Sequence, residues 1–166
     1  MKKLIGLLCG LVFVVCGMMA WAEPASGVTG TLIGRGTYEP FKVKTDPASL
    51  VDFDAKAKSH VDVVVQTHDF GPYTNGSPAS TGWHTHPGPV FITVVTGQLT
   101  FYELDDRHCR PRVVSAGEGF VDTGNGHIGR NELGTPARDV AVAIAPVNAP
   151  FRTDLPAHAN PSCPGF

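Results

Sequence analysis

Apolar and β-branched residues occur along this chain in short runs separated by glycine and proline. Residues 60–66 are rich in valine, and residues 90–102 are apolar or threonine-rich with a break at Gly97. Further short runs cover residues 112–115, 119–122 and 139–145. β-Branched residues favour half-buried strands, and short strands separated by turn residues are typical of a sandwich or barrel. The pattern therefore predicts one all-β domain.

Helices are expected to be few and short, because the chain contains 19 Gly and 14 Pro and lacks long stretches of helical periodicity. The best helix candidate is residues 46–50, where Asp46 can cap the first turn and Pro47 occupies the first helical position. We expect about two turns there. Residues 23–30 and 149–166 have the composition of extended tails, and Cys163 could tie down the second.

The first 22 residues have the composition of a secretory signal peptide. Lys2 and Lys3 precede an uncharged apolar run over residues 4–20, and a small-residue cleavage motif ends at Ala22, before Glu23. The alternative is an uncleaved membrane anchor, but the run has about 17 residues and a spanning helix needs roughly 20. We therefore predict a periplasmic or secreted mature protein, residues 23–166, that is free of the membrane after cleavage.

Charge and cysteine content narrow the class of the mature protein. The chain has 13 Lys and Arg against 15 Asp and Glu, so loss of two lysines with the signal leaves a net charge of about −4 with neutral histidines. Nucleic acid is therefore a poor partner.

Only Cys109 and Cys163 remain after cleavage, and such a pair in an oxidising compartment predicts a disulfide, the alternative being two free thiols.

Three histidines lie in two glycine-rich segments about 40 residues apart. His84 and His86 are separated by one residue, so their side chains leave the same face of an extended chain and can reach one point. His127 lies in the second segment, residues 117–131, within a glycine-rich turn. Two surface histidines in a loop would be the alternative for the first pair alone.

These two segments resemble the paired motifs of the cupin family. Gly82, His84, His86 and Gly97 fall on the first motif, and Gly117, Gly124, His127 and Asn131 fall on the second. The resemblance extends over residues 61–147. It implies a small double-stranded β-helix, the jelly-roll barrel of cupins, with a metal inside the barrel mouth.

The resemblance also implies a set of metal ligands. His84, His86 and His127 match three of the family's usual ligands, whereas the position of the usual glutamate is occupied by Val90. Three neutral imidazoles would bind one divalent metal ion, and Fe, Zn, Ni, Mn and Cu are not distinguished by the sequence. The missing carboxylate raises the charge of the site by one unit, which favours an anionic ligand.

Other residues are weaker candidates for the site. Glu103 or His68 could supply a fourth ligand, although a solvent-facing acid and a loop histidine are the simpler interpretations. Trp83, Tyr73 and Asn131, together with Val90, are candidate pocket residues. Phe101 is expected to be core. Arg130 could meet an anionic substrate or could be solvated.

Two function classes fit these residues. One is an enzyme, a metal-dependent dioxygenase or a related lyase or isomerase that acts on a small organic substrate. The other is a non-catalytic cupin of the cell envelope that binds a small molecule, such as a sugar or an organic acid, or a metal. Fold alone does not decide between them. A homodimer is expected only by analogy with the family.

We predict that the mature protein begins at Glu23. Mass spectrometry of protein purified from the periplasm or culture medium should find this amino terminus, because Ala20, Trp21 and Ala22 form the cleavage motif. An intact Met1 on soluble cytoplasmic protein would contradict the prediction.

Overall fold

The computed structural model describes residues 22, 24–46, 48 and 50–163. The predicted signal peptide therefore lies outside the described residues, apart from Ala22. Thirteen strands and no helix occur in these ranges. The strands are β1 Val28–Tyr38, β2 Phe41–Lys44, β3 Asp54–Ala57, β4 Val61–Phe70, β5 Ala79–Ser80, β6 His84–Thr85, β7 Val90–Thr96, β8 Gln98–Glu103, β9 Arg112–Ser115, β10 Gly119–Asp122, β11 His127–Asn131, β12 Ala137–Pro146 and β13 Thr153–Asp154.

Two antiparallel sheets form the barrel. The first has the strand order β1-β4-β12-β7-β10, and the second has the order β13-β6-β11-β8-β9 with β5 beside β11. From β4 to β12 nearly every connection crosses from one sheet to the other, and β8 and β9 form the one hairpin within a sheet. This is the strand order of a jelly roll, or double-stranded β-helix. The predicted fold class is confirmed.

The strands predicted from the valine-rich and apolar runs are confirmed, with small changes at their ends. Gly97 divides β7 from β8 because it has a φ of 72°, and a Cβ there would lie 2.8 Å from the carbonyl oxygen of Pro136. The sequence pattern missed β1, which begins inside the predicted tail 23–30. Most of its side chains are exposed, so its sequence lacks the alternation of apolar and polar residues that marks a half-buried strand.

None of the described residues of the predicted helix, Asp46, Ala48 and Leu50, is helical, and positions 47 and 49 lie outside the described residues. Ala48 lies in a turn, and its backbone N–H donates to the side-chain oxygen of Asp46 over 2.7 Å. Asp46 therefore closes a local turn of its own, which competes with helix formation.

Two apolar clusters stabilise the barrel. The larger one fills the space between the sheets and includes Phe70, Ile92, Leu99, Phe101 and Phe120. The smaller one lies on the outer face of the second sheet and contains Trp83, Tyr102, Ile128 and Cys163. β8 is consequently buried along both faces, unlike the alternating β12.

The carboxyl-terminal segment covers this outer cluster, which corrects its description as an extended tail. β13 pairs with β6, and the Leu155 N–H donates to the Trp83 carbonyl over 2.8 Å. The predicted disulfide is present, with the Cα atoms of Cys109 and Cys163 5.2 Å apart. The segment is therefore part of the barrel wall, and the disulfide, which is typical of oxidising compartments, fastens its end.

A buried carboxylate joins three parts of the chain at the end of β4. Asp62, which is 1% exposed, accepts hydrogen bonds from the Thr37 hydroxyl at 2.7 Å, the Arg35 guanidinium at 2.7 Å and the Asn148 N–H at 2.9 Å. These bonds, led by that of Thr37, lower the pKa of Asp62. The charged form is thus part of the folded structure.

We predict that Asp62→Asn lowers the midpoint of thermal unfolding at pH 7 by several degrees, because Asn148 and Arg35 lose their charged acceptor. The folded pKa is depressed, so this contribution is complete above the unfolded pKa of about 3.9 and is lost as the pH falls through the folded pKa. The difference between variant and wild type should therefore shrink below about pH 4.

Asp69→Asn is the matched control for Asp62→Asn, because Asp69 pairs with Arg138 on the surface, where both side chains are about half exposed. A surface pair contributes little, so the control should unfold close to wild type. Equal effects of the two substitutions, measured by calorimetry, would contradict the role of Asp62.

Candidate metal centre

The three predicted histidines meet inside the barrel. His84 lies on β6 and pairs directly with His127 on β11, while His86 follows β6 by one residue. All three are buried, with exposed fractions of 3%, 7% and 2% for His84, His86 and His127. Each offers a ring nitrogen, and these three atoms lie within 4.8 Å of one another.

Two glycines let the turn that carries His127 approach the His84–His86 segment. A Cβ at Gly126 would lie 3.1 Å from the carbonyl oxygen of His84, and a Cβ at Gly124 would lie 3.1 Å from that of His86. Both glycines also have positive φ, 97° at Gly124 and 110° at Gly126. Larger residues would be strained there, so the glycines of the motif set the spacing between its two halves.

Backbone carbonyls orient two of the imidazoles. The Nδ1 of His84 donates to the Gly82 carbonyl over 2.9 Å, and the Nδ1 of His86 donates to the Phe151 carbonyl over 2.8 Å. A carbonyl only accepts, so the hydrogen of each neutral ring lies on Nδ1 and the lone pair lies on Nε2. The Nε2 of His86 is buried and has no hydrogen-bond partner among the described residues.

A carboxylate lies behind the third imidazole. The Nδ1 of His127 is 3.5 Å from an oxygen of Asp122, which is 4% exposed. Neither atom has a hydrogen-bond partner in the described part of the chain. Histidines that ligate a metal commonly point their other nitrogen at a carboxylate, which fixes the ring and raises its basicity. Asp122 also lies opposite Val90 in the β7–β10 register, so its carboxylate is close to the position where the motif resemblance led us to expect an acidic ligand.

Burial keeps two of these histidines neutral. It lowers the pKa of His84 well below its usual value, and the neighbouring His127 lowers it further. Burial, followed by the charge of His127, lowers the pKa of His86 to about 4. Burial alone would raise the pKa of Asp122, but its interaction with the neighbouring His127 outweighs burial and the pKa is lowered. Near neutral pH the site therefore presents free imidazole lone pairs beside a carboxylate.

A cavity of about 250 Å³ adjoins the three histidines. Val90, Ile92, Phe101, Ala141 and Phe151 form an apolar part of its wall. Sites for drug-sized ligands usually measure about 300–1,000 Å³, so this cavity suits a smaller molecule.

The structure places the other predicted pocket residues away from this cavity, apart from Val90. Trp83, the residue before β6, is fully buried in the outer cluster beneath the carboxyl-terminal segment, because adjacent residues of an extended chain point to opposite faces and His84 lines the cavity. Tyr73 is 42% exposed, and Glu103 is exposed at the end of β8. The simpler interpretation of Glu103, a solvent-facing acid, agrees with this position.

Asn131 is fully buried and has a structural role. Its side-chain amide donates to the carbonyls of Gly71 and Thr135, both at 2.8 Å, and its oxygen accepts from the Leu133 N–H at 3.0 Å. These bonds fasten the turn between β11 and β12. Asn131 therefore supports the strand of His127 and does not line the cavity.

The interpretation of His68 as a loop residue is wrong, because β4 continues to Phe70 and His68 lies on its cavity side. Phe101 is part of the core, as expected, and also of the cavity wall. Neither Glu103 nor His68 joins the three clustered histidines in the part of the chain that the structure describes.

Sequence reasoning missed three residues of the site. Asp122 lies in the glycine-rich segment 117–131, five residues before His127, and its place at an inward-facing position of a predicted strand could have identified it. Phe151 and Arg152 lie in the supposed tail and line the cavity. Phe151 reaches His86 across 65 residues of sequence, and such a contact leaves no local pattern.

The donor set fits a divalent metal ion. Three buried imidazoles converge, each has an oxygen near Nδ1, and a buried Nε2 without a hydrogen-bond partner is a donor that a metal would use. Three protein ligands would leave coordination positions open toward the cavity.

No protein family model matches this chain, and no curated protein sequence matches it. Its fold is similar to several solved structures. The polyketide cyclase RemF from Streptomyces resistomycificus is 22% identical over 60% of this chain and 65% of that chain, with a TM-score of 0.46. An oxalate oxidase is 30% identical over 51% of this chain and 46% of that chain, with a TM-score of 0.40.

A Cupin_2 domain of a transcriptional regulator from Enterobacter cloacae is 14% identical over 72% of this chain and 97% of that domain, with a TM-score of 0.43. The aligned part spans less than two thirds of the cyclase and oxidase chains. These similarities carry no functional argument. The assignment of this chain to the double-stranded β-helix fold rests on its own strand order.

Proposed function

We propose that this chain is an exported cupin in which His84, His86 and His127 bind one divalent metal ion, and that the metal binds a small organic ligand. The observation that carries the proposal is the convergence of three buried imidazoles, each with an oxygen near Nδ1, together with the buried Nε2 of His86, which has no hydrogen-bond partner among the described residues. Neutral imidazole suits iron, zinc, nickel and copper.

The protein residues have separate tasks in this site. The carbonyls of Gly82 and Phe151 hold two rings in the ligating tautomer, and Asp122 does the same for His127. The apolar wall excludes bulk water from the ligand, which strengthens electrostatic contacts within the cavity. The small volume selects a small substrate.

We infer an enzyme, a metal-dependent dioxygenase or a related lyase or isomerase. A structural metal site usually has four protein ligands, whereas a catalytic site keeps positions open. A bound metal would supply Lewis acidity, or redox chemistry if it is iron. Oxygen uptake by the metal-loaded protein in the presence of small carboxylic acids separates a dioxygenase from the other classes. Periplasmic or secreted location, a small-molecule partner without nucleic acid, and a homodimer remain predictions.

We predict that His84→Ala, His86→Ala and His127→Ala each lose most of the bound metal, because two imidazoles hold a divalent ion far less tightly than three. Metal content per chain, measured by elemental mass spectrometry after purification, is the test. His60→Ala is the matched control, since His60 is exposed, and it should retain the wild-type content. Full stoichiometry in His127→Ala, or a comparable loss in Glu103→Ala, would contradict the assignment.

Asp122→Asn should weaken metal binding about 10-fold or more while leaving the three ligands in place, because the carboxylate behind His127 supports its basicity. Competition with a chelator measures the affinity. Asp105→Asn removes an exposed carboxylate and should leave the affinity unchanged. An unchanged affinity in Asp122→Asn would show that the 3.5 Å approach to His127 has no bearing on the metal.

A further inference from the structure

A second polar group lies in the wall of the same cavity. His68 on β4 pairs directly with Asp139 on β12, and the Nδ1 of His68 is 2.8 Å from a carboxylate oxygen of Asp139. Asp139 is 2% exposed, and both residues line the cavity. The bond to Asp139 orients the imidazole, and Nε2 on the other side of the ring is the nitrogen that a ligand would meet beside the Gln66 side chain.

The neighbouring strand is shaped around this imidazole. Gly30 on β1 lies opposite His68, and a Cβ at Gly30 would lie 3.3 Å from the ring of His68. Gln66, two residues before His68 on the same face, places its side-chain oxygen 3.3 Å from Nε2. Gln66 and Gly30 line the cavity as well. The two residues therefore surround the ring without covering it from the cavity.

His68 is separated from the three clustered histidines by an aromatic side chain. The ring of Phe151 is 5.8 Å from that of His68 and 5.0 Å from that of His86, measured between centroids. The cavity thus has one polar end at the histidine cluster and another at His68, with apolar residues such as Ile92 and Ala141 also in its wall. A ligand that fills it meets both ends.

We propose that His68, positioned by Asp139, binds a hydroxyl group of the molecule held at the metal, and thereby determines ligand specificity. The inference rests on the proposed function and names its ligand class, a small hydroxycarboxylate. The carboxylate would bind at the metal end, where a divalent cation favours an anion.

The chemistry at the His68 end favours a hydroxyl over a second carboxylate. Asp139 is an acid buried beside His68, so another anion there would meet a like charge. A hydroxyl can both donate and accept, so it can hydrogen-bond to Nε2 of His68 and to the side-chain amide of Gln66 that lies 3.3 Å from that nitrogen. An unsubstituted alkyl end would displace water from these polar groups without replacing its hydrogen bonds, which disfavours it.

The experiment compares carboxylates with and without a terminal hydroxyl on cobalt-loaded full-length mature protein. The probes are 3-hydroxypropionate, 4-hydroxybutyrate, 5-hydroxypentanoate and 4-hydroxybenzoate, each against its parent without the hydroxyl. The visible cobalt spectrum reports binding at the metal and gives Kd. For at least one pair the hydroxyl should tighten binding by about fivefold or more in wild type.

His68→Leu should reduce this hydroxyl advantage to about onefold while retaining the metal content and the affinity for the parent carboxylate. His68→Gln keeps a side-chain hydrogen-bonding group and should retain part of the advantage. His60→Leu, at an exposed histidine, is the matched control and should behave as wild type. If His68→Leu fails to fold, the double variant His68→Phe/Asp139→Val replaces both partners by apolar groups, which is far less costly than leaving one unpaired.

Two failures are distinguishable. If no hydroxyl tightens binding, or if the advantage survives in His68→Leu or in the double variant, the inference is overturned while the metal site stands. If wild type holds no cobalt, or if no carboxylate alters the cobalt spectrum, the proposed function fails and the inference fails with it.

Discussion

The burial of three imidazoles in one place is the constraint on which the rest of this structure depends. An imidazole ring that leaves water needs a partner for its N–H, and the chain supplies the Gly82 carbonyl, the Phe151 carbonyl and the Asp122 carboxylate. Each partner lies on the Nδ1 side. The other ring nitrogens are therefore close to one another inside the barrel, and a bound cation would satisfy them together.

This constraint explains why the carboxyl-terminal segment folds back over the barrel. Phe151 supplies both a backbone acceptor and a ring against His86, and Arg152 donates to the Thr81 carbonyl at 2.7 Å. Beyond them, the disulfide between Cys109 and Cys163 fastens the segment over the outer cluster around Trp83. One wall of the site is thus held in place by packing and a covalent bond on the far side of the sheet.

Two walls around the cavity carry different polar groups, the Asp122 carboxylate behind the clustered histidines and the His68–Asp139 pair on the first sheet. Val90 offers no ligand atom, and Asp122 beside it contributes its charge through His127 instead. The expected excess of positive charge at the site is therefore partly offset, because a carboxylate lies one residue layer behind the imidazoles. On another wall, β1, β4 and β12 bring Gly30, His68 and Asp139 into one row.

The sequence by itself determined the all-β class, most long strands and the three clustered histidines, because strand periodicity and the His-x-His spacing are local properties of the chain. It also predicted the disulfide, because Cys109 and Cys163 are the only cysteines that remain after cleavage of the predicted signal peptide. Only the tertiary structure decided that Trp83 faces the outer cluster, that Asn131 fastens a turn, and that Phe151 reaches His86. The physical reason is that strand parity and long-range pairing assign each side chain to a face, and a local pattern carries no record of which distant strand will cover it.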